Sequence, residues 1–297
     1  MATESRLVVC ASHAPGMAAD EAALEGRDFR AGLAQARQIV DAFDPELVVM
    51  FGSDHRRAYE PVIPAFSVIL AAEGYGDHGS PTGAYDIPRE LAERLAQHLL
   101  AADFDVAASR GVRLDHGFGE TIHDLFGSLD ARPLLPIFIN CATPPLGAPQ
   151  RSIALGRAVR SFLESELGTQ RVLVIGSGGL SHSPPTLEVD TLGLSDDERR
   201  AIADAKREAA RDRIDPDWDV RLLRMLESDD GCLAIDQTLL DAGGVGANEV
   251  RTWLAARSAG GADSLIPLAY QAVPEWITGM GIAISAWAGA GQGIPTL

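Results

Sequence analysis

The 297-residue chain is predicted to be an α/β protein, a single domain over 1–297 with a mixed central sheet and helices on both faces. Residues 47–51 are apolar without alternation and stop at Gly52-Ser53, the pattern of a strand buried on both faces. Residues 7–11 and 171–175 repeat the design, the second closing on Gly176-Ser177-Gly178-Gly179. Stretches of helical spacing lie between these runs, with no internal repeat, low-complexity tract or linker to divide the chain. In sheets of this kind ligands bind beyond the carboxyl ends of the strands. A histidine follows each run there: His13, His55 and His182. If the three strands are parallel, the three side chains share one rim.

In chain order, residues 7–11 form the first strand and Ser12-His13-Ala14-Pro15-Gly16 a loop. Leu33, Ala36, Val40 and Phe43 keep helical spacing over 29–43, and Asp44-Pro45 stops that helix. A strand over 46–55 comes next. Residues 61–72 read as extended, and their prolines suggest a sheet edge. Residues 74–86, rich in Gly, Asp, Ser and Pro, read as a long loop of the kind that is usually functional or disordered. Pro88 opens a helix running to about residue 102. A short strand at 104–108, a helix at 120–129, a strand at 134–139 and an amphipathic helix at 152–167 lead to the 171–175 strand. The charge-dense helix at 196–213 reads as a solvated face or lid. Short helices at 217–226 and 232–241, a glycine break at 243–246, a helix at 248–258 and closing strands at 265–272 and 281–287 complete the chain.

Bulk properties exclude several functions. Hydrophobic content of 46% and charged content of 23% are ordinary for a globular protein. No apolar run approaches the ~20 residues that span a bilayer, and the first residues carry no leader pattern. Cys10, Cys141 and Cys232 are far apart, which argues for a reducing compartment and against a zinc knuckle. A cytoplasmic protein is expected. A net charge of −17 and a pI near 4.7 argue against nucleic-acid and anionic-membrane partners. An anionic substrate would need a local cluster of arginines.

Of the seven histidines, His98 and His123 fall in helices and read as surface or structural, and His78 lies in the long loop. His13, His55, His116 and His182 each follow a strand end, and a parallel topology would gather them. Two histidines and one carboxylate form the facial triad of non-haem Fe(II) sites. His13 and His55 form the natural pair, from strands expected to be adjacent, and Asp54, Asp115, Glu120, Glu249 or Glu275 could supply the carboxylate. His116 and His182 would remain for proton transfer. A zinc hydrolase could use the same ligands. The glycines at 176–179 could cradle a phosphate, although no P-loop lysine accompanies them. No nucleophile elbow supports a serine triad.

Eight stretches in order resemble the type III extradiol catechol dioxygenases: Ala11-Ser12-His13-Ala14-Pro15, Phe43-Asp44-Pro45-Glu46-Leu47-Val48-Val49, Asp54-His55, Leu114-Asp115-His116-Gly117-Phe118, Leu135-Pro136-Ile137-Phe138-Ile139-Asn140, Gly176-Ser177-Gly178-Gly179-Leu180-Ser181-His182, Glu249-Val250-Arg251-Thr252-Trp253 and Pro274-Glu275-Trp276-Ile277. The resemblance implies an Fe(II) cofactor held by His13, His55 and Glu249. It also implies His116 and His182 as an acid/base pair with Asp115 supporting His116. A homo-oligomer is expected. Its reaction is ring cleavage by O₂ of a catechol with an acidic or alkyl side chain, such as 2,3-dihydroxyphenylpropionate. A non-enzymatic interaction protein on the same fold is the remaining alternative. The chain departs from the family's pattern at Arg56-Arg57 and over 74–86. Arg56 or Arg57 is therefore expected to bind an acidic substituent. Their side chains should point opposite ways along an extended segment, so at most one should face the pocket.

Overall fold

Side chains along each buried run alternate between two helical layers, and both layers are apolar, so the run shows no polar residue. In the computed structural model, which describes residues 5–15, 17 and 25–287, Val49 and Phe51 enter one core cluster. Their neighbours Val48 and Met50 enter the other.

The elements are β1 (Arg6–Ala11), α1 (Arg27–Phe43), β2 (Leu47–Gly52), β3 (Phe66–Ile69), β4 (Ala72–Tyr75), β5 (Thr82–Ala84), α2 (Arg89–Ala101), β6 (Ala107–Ser109), β7 (Val112–Leu114) and α3 (His116–Phe126). They continue with β8 (Leu134–Ile139), α4 (Pro149–Leu167), β9 (Val172–Ser177), α5 (Asp196–Arg211), α6 (Pro216–Met225), α7 (Asp229–Leu233), α8 (Gln237–Ala242), α9 (Val250–Gly260), β10 (Leu265–Val273) and β11 (Thr278–Ser285). Short 3-10 turns at Asp77–Gly79, Val245–Glu249 and Pro274–Trp276 interrupt the loops.

Eight strands form one mixed sheet in the order β10-β11-β1-β9-β2-β8-β3-β6. Its centre, β1-β9-β2-β8, is parallel throughout. Antiparallel strands flank that centre, β11 beside β1 and β3 beside β8. Helices α1 and α3 cover one face through Phe29, Val40, Phe118 and Ile122. Helices α2, α4, α6 and α9 cover the other through Leu95, Val159, Leu222 and Trp253. Helix α9 is buried nearly all round, Arg251 and Arg257 included, which explains why its sequence lacks a strongly polar face.

Three expectations are corrected. Residues 61–72 do not end the sheet: Phe66–Ile69 is its strand there, Ala72 opens β4 of another sheet, and β6 lies outside β3, so the prolines precede the strand rather than mark an edge. Residues 74–86 are no unstructured loop but carry the end of β4 and all of β5 in a second sheet, β5-β4-β7, together with the Asp77–Gly79 turn. Helix α3 starts at His116, four residues before the apolar spacing suggested, because Asp115 caps it by accepting from Gly117 N at 3.0 Å. Among the described residues no helix is long and apolar enough to cross a membrane.

Candidate metal centre

The parallel centre of the sheet delivers the three strand-end histidines to one rim. His13 follows β1, His55 follows β2 and His182 follows β9. β1 and β2 do not pair with each other, contrary to the expectation, since β9 lies between them and pairs with both. The ring centroids of His13 and His55 are still only 5.4 Å apart.

Each of these imidazoles is aimed through its outer nitrogen. His13 Nδ1 meets the Ser177 hydroxyl at 2.9 Å, and that hydroxyl donates to the Gly117 carbonyl, so Ser177 presents a lone pair to an Nδ1–H. His55 Nδ1 faces Asp115 Oδ2 at 3.0 Å, and the same oxygen accepts His55 N at 2.6 Å. Both rings therefore turn Nε2 inward, where Glu249 waits at the end of the Val245–Glu249 turn. Glu249 Oε1 lies 2.8 Å from His55 Nε2 and 4.0 Å from His13 Nε2. Its Oε2 accepts Gly179 N at 2.7 Å and lies 3.8 Å from His182 Nε2. Histidines held by an outer hydrogen bond around one carboxylate are the donor set that divalent transition metals take.

The other carboxylates considered from sequence are engaged elsewhere or lie apart from these nitrogens. Asp54 accepts the backbone N–H groups of Arg57, Ala58 and Tyr59 and so shapes the turn after His55. Asp115 contacts His55 on the side away from Glu249. Glu120 is fully buried with neither oxygen hydrogen-bonded among the described residues, and burial raises its pKa to about 7. Glu275 lines the cleft with Trp276 and Ile277.

His116 and His182 complete the wall. The His116 ring stacks on His55 at 4.4 Å and 18°, and its Nδ1 sits 2.6 Å from Asp77 Oδ2, while Asp77 Oδ1 accepts His116 N at 2.9 Å. Asp77, not Asp115, supports His116, which corrects the expectation. His78, left undecided by the sequence, is edge-on to His116 at 5.6 Å. His182 Nδ1 donates to the Leu180 carbonyl at 2.9 Å. The segment before it is held by Asp219 of α6, whose Oδ1 accepts Ser181 N at 2.7 Å and whose Oδ2 accepts Ser181 Oγ at 2.8 Å and Tyr270 Oη at 2.7 Å. Apart from the histidine-rich rim, neither Asp77 nor Asp219 carried a sequence signal.

The nitrogens of His13, His55 and His116 lie within 4.8 Å of one another, so geometry alone would also allow an all-histidine site. Charge favours the set with Glu249. A buried carboxylate facing three imidazoles is stable only with positive charge beside it. Burial would raise Glu249, but His13, His55 and His182 hold it well below the usual carboxylate range. Burial lowers His13 to about 3 and lowers His182. For His55 the effect of burial is outweighed by Asp115 and Glu249, which raise it well above its ordinary value. Asp77 does the same for His116.

The glycines at 176–179 do not cradle an anion. A Cβ on Gly176 would lie 2.9 Å from the Thr252 carbonyl and Trp253 Cα, and one on Gly178 would lie 2.5 Å from Glu249 Cβ. They let α9 approach β9 closely enough to bring Glu249 to the histidines.

The two arginines after His55 part company. Arg56 has a left-handed backbone, φ +62°, not an extended one, and its guanidinium donates to the carbonyls of Ala142, Thr186, Leu187 and Val189. It lies outside the cleft, so its assignment to substrate is corrected to a clamp on residues 186–189. Arg57 does line the cleft, with its guanidinium 3.1 Å from Asp196 and over the Tyr75 ring. Arg199, Ala203 and Arg207 of α5 form part of the cleft wall, so this helix, read only as a solvated face or lid, faces the site.

A family model described as the catalytic LigB subunit of aromatic ring-opening dioxygenase matches residues 7–281. A Mycolicibacterium vanbaalenii protein named 2,3-dihydroxyphenylpropionate/2,3-dihydroxicinnamic acid 1,2-dioxygenase is 38% identical, over 95% of this chain and 98% of its own. A Cupriavidus necator protein of the same name is 39% identical, over 83% of this chain and 87% of its own.

Proposed function

The chain belongs to the family of the catalytic LigB subunit of aromatic ring-opening dioxygenases and is an extradiol ring-cleaving enzyme; from that premise we propose that it uses Fe(II), held by His13, His55 and Glu249, to cleave a catechol with an acidic side chain of the 2,3-dihydroxyphenylpropionate type. The observation that carries the metal assignment is the convergence of two outward-anchored imidazoles on the buried Glu249 carboxylate. The substrate class rests on the names of the relatives and on the arginines of a cleft that belongs to a strongly acidic chain.

Held by His13, His55 and Glu249, the iron would supply Lewis acidity and redox chemistry toward a catechol and O₂. The protein handles the protons. His182 gives its Nδ1–H to the Leu180 carbonyl, so its neutral tautomer presents a bare Nε2 to the cleft. That nitrogen is suited to take a catechol hydroxyl proton. His116 has Nδ1 against the Asp77 carboxylate, which favours the imidazolium and leaves Nε2–H as a donor. It is suited to return a proton as the O–O bond breaks. Asp115 keeps His55 in its ligating orientation. Trp276, Ile277, Pro184 and Pro185 line the cleft and give an aromatic ring apolar surface to pack on.

The test is anaerobic loading of the protein with Fe(II), Mn(II) or Zn(II), followed by air and 2,3-dihydroxyphenylpropionate. Uptake of one O₂ per catechol, with a ring-cleaved product in the Fe(II) sample, is expected. No O₂ uptake with any metal would end the reading, and equal rates with Zn(II) would end the iron assignment.

A further inference from the structure

We propose that Arg207, on the cleft face of α5, is the residue that selects catechols carrying an anionic side chain, by pairing with that anion. The inference rests on the ring-cleavage reading above and names the group that sets its substrate preference.

The sequence has 42 acidic residues against 25 Lys and Arg, yet the described residues lining the cleft include three arginines and one acid, Glu275. That local inversion is what an anionic ligand needs in a protein whose overall field repels it. The three arginines differ in what their charge already meets. Arg199 is buried, donates to Glu60 and to the Thr191 carbonyl and hydroxyl, and holds α5 to the body. Arg57 faces Asp196 in the first turn of α5 at 3.1 Å, and Asp196 also accepts the Tyr75 hydroxyl at 3.2 Å. Among the described residues Arg207 meets only Asp204, 3.1 Å away within its own helix, with both side chains about half exposed. A pair of that kind is weak and easily exchanged.

Helix geometry explains why Arg207 can reach a substrate and yet leave room for it. Positions 199, 203 and 207 are four apart and share one face of α5. Arg207 stands about 12 Å along the axis from Arg199. The residue between them on that face is Ala203, which fills little of the cleft. Only Arg199 and Ala210 of the helix are buried, so replacing Arg207 removes no core side chain. A catechol whose diol meets the histidine wall can send its substituent along this face. The planar guanidinium then offers a carboxylate two parallel donors.

The experiment is anaerobic calorimetric binding of 3-(2,3-dihydroxyphenyl)propionate and its methyl ester to the Fe(II)-loaded enzyme and its Arg207→Met and Arg207→Lys variants. Wild type should bind the acid more tightly than the ester. Arg207→Met should weaken the acid roughly 10- to 150-fold, the range of one charged hydrogen bond, and leave the ester unchanged. Arg207→Lys, which keeps the charge but not the fork, should fall between. If Arg207→Met keeps the wild-type ratio of acid to ester, the inference is overturned and the ring-cleavage reading stands. If wild type binds acid and ester alike, the inference and the acidic substrate class both fall, and O₂ uptake with the ester then shows whether ring cleavage survives.

Discussion

Asp77 holds His116 at two points, accepting its backbone N–H at 2.9 Å with one oxygen and facing Nδ1 at 2.6 Å with the other. The pair fixes both the position of the ring and its tautomer, and it lifts His116 above its ordinary pKa despite burial. Asp77→Asn removes the negative charge and keeps the shape. It should lower kcat about 10- to 100-fold, the usual cost of losing an orienting partner. The sign of the pH effect follows. Without the carboxylate, His116 loses its proton at lower pH, so the alkaline limb of the kcat profile should move down. A slower variant with an unmoved limb would remove His116 as the acid.

Loss of a metal ligand and loss of a proton carrier should separate cleanly. His13→Ala, His55→Ala and Glu249→Ala should fail to retain iron after gel filtration, with the circular dichroism spectrum kept. His116→Ala and His182→Ala should retain it and turn over ~10²–10⁴-fold more slowly. The all-histidine arrangement predicts the reverse for Glu249 and His116, so metal content of those two variants decides between the sets.

The contrast between what could and could not be read in the sequence is one of range. Strand-end histidines were legible because burial on both faces leaves an uninterrupted apolar run, and the fold rule places chemistry at its end. Glu249 was one of five carboxylates until a family resemblance singled it out, because only the approach of α9 to β9 at Gly176 brings it in. Asp77 was missed because its stretch is punctuated by Gly74, Gly76, Gly79 and Gly83, and because β4 and β5 are only four and three residues long. No periodicity survives in strands so short. Asp219 was hidden in a short amphipathic helix, where an aspartate ordinarily faces solvent. Arg207 was hidden in the same way, in a helix whose charge density masks the one face turned toward the cleft.

Asp219 is buried among Ser181, Tyr270 and Gly279, and burial is the main cause that raises its pKa to about 6. A carboxyl raised on folding binds its proton more tightly in the native state. Its ionisation therefore costs nothing below about pH 4 and costs stability in full above about pH 6, by roughly 2–3 kcal/mol. Asp219→Asn cannot ionise. It loses part of the bonding to Ser181 and Tyr270 and should be less stable than wild type at pH 4, but the gap should narrow or reverse at pH 7. Urea midpoints of both proteins at the two pH values test this, and a gap that widens with pH would refute the sign. The same variant should slow turnover without loss of iron, since Ser181 precedes His182.

Arg56 offers the converse of Arg207. Its guanidinium is spent on backbone carbonyls of residues 142, 186, 187 and 189 and on the hydroxyls of Thr143 and Thr191. These bonds tie down the segment that follows Pro184 and Pro185 on the cleft wall. A charged donor that satisfies several part-buried carbonyls leaves them unpaired when removed, at about 1–3 kcal/mol for each that water cannot reach. Its left-handed backbone adds no preference for arginine over methionine, so the loss should come from the side chain alone. Arg56→Met should therefore lower the melting temperature by several degrees and reduce kcat/KM for acidic and neutral catechols by similar factors. A selective loss of the acidic catechol, at unchanged melting temperature, would return Arg56 to the substrate and contradict the clamp.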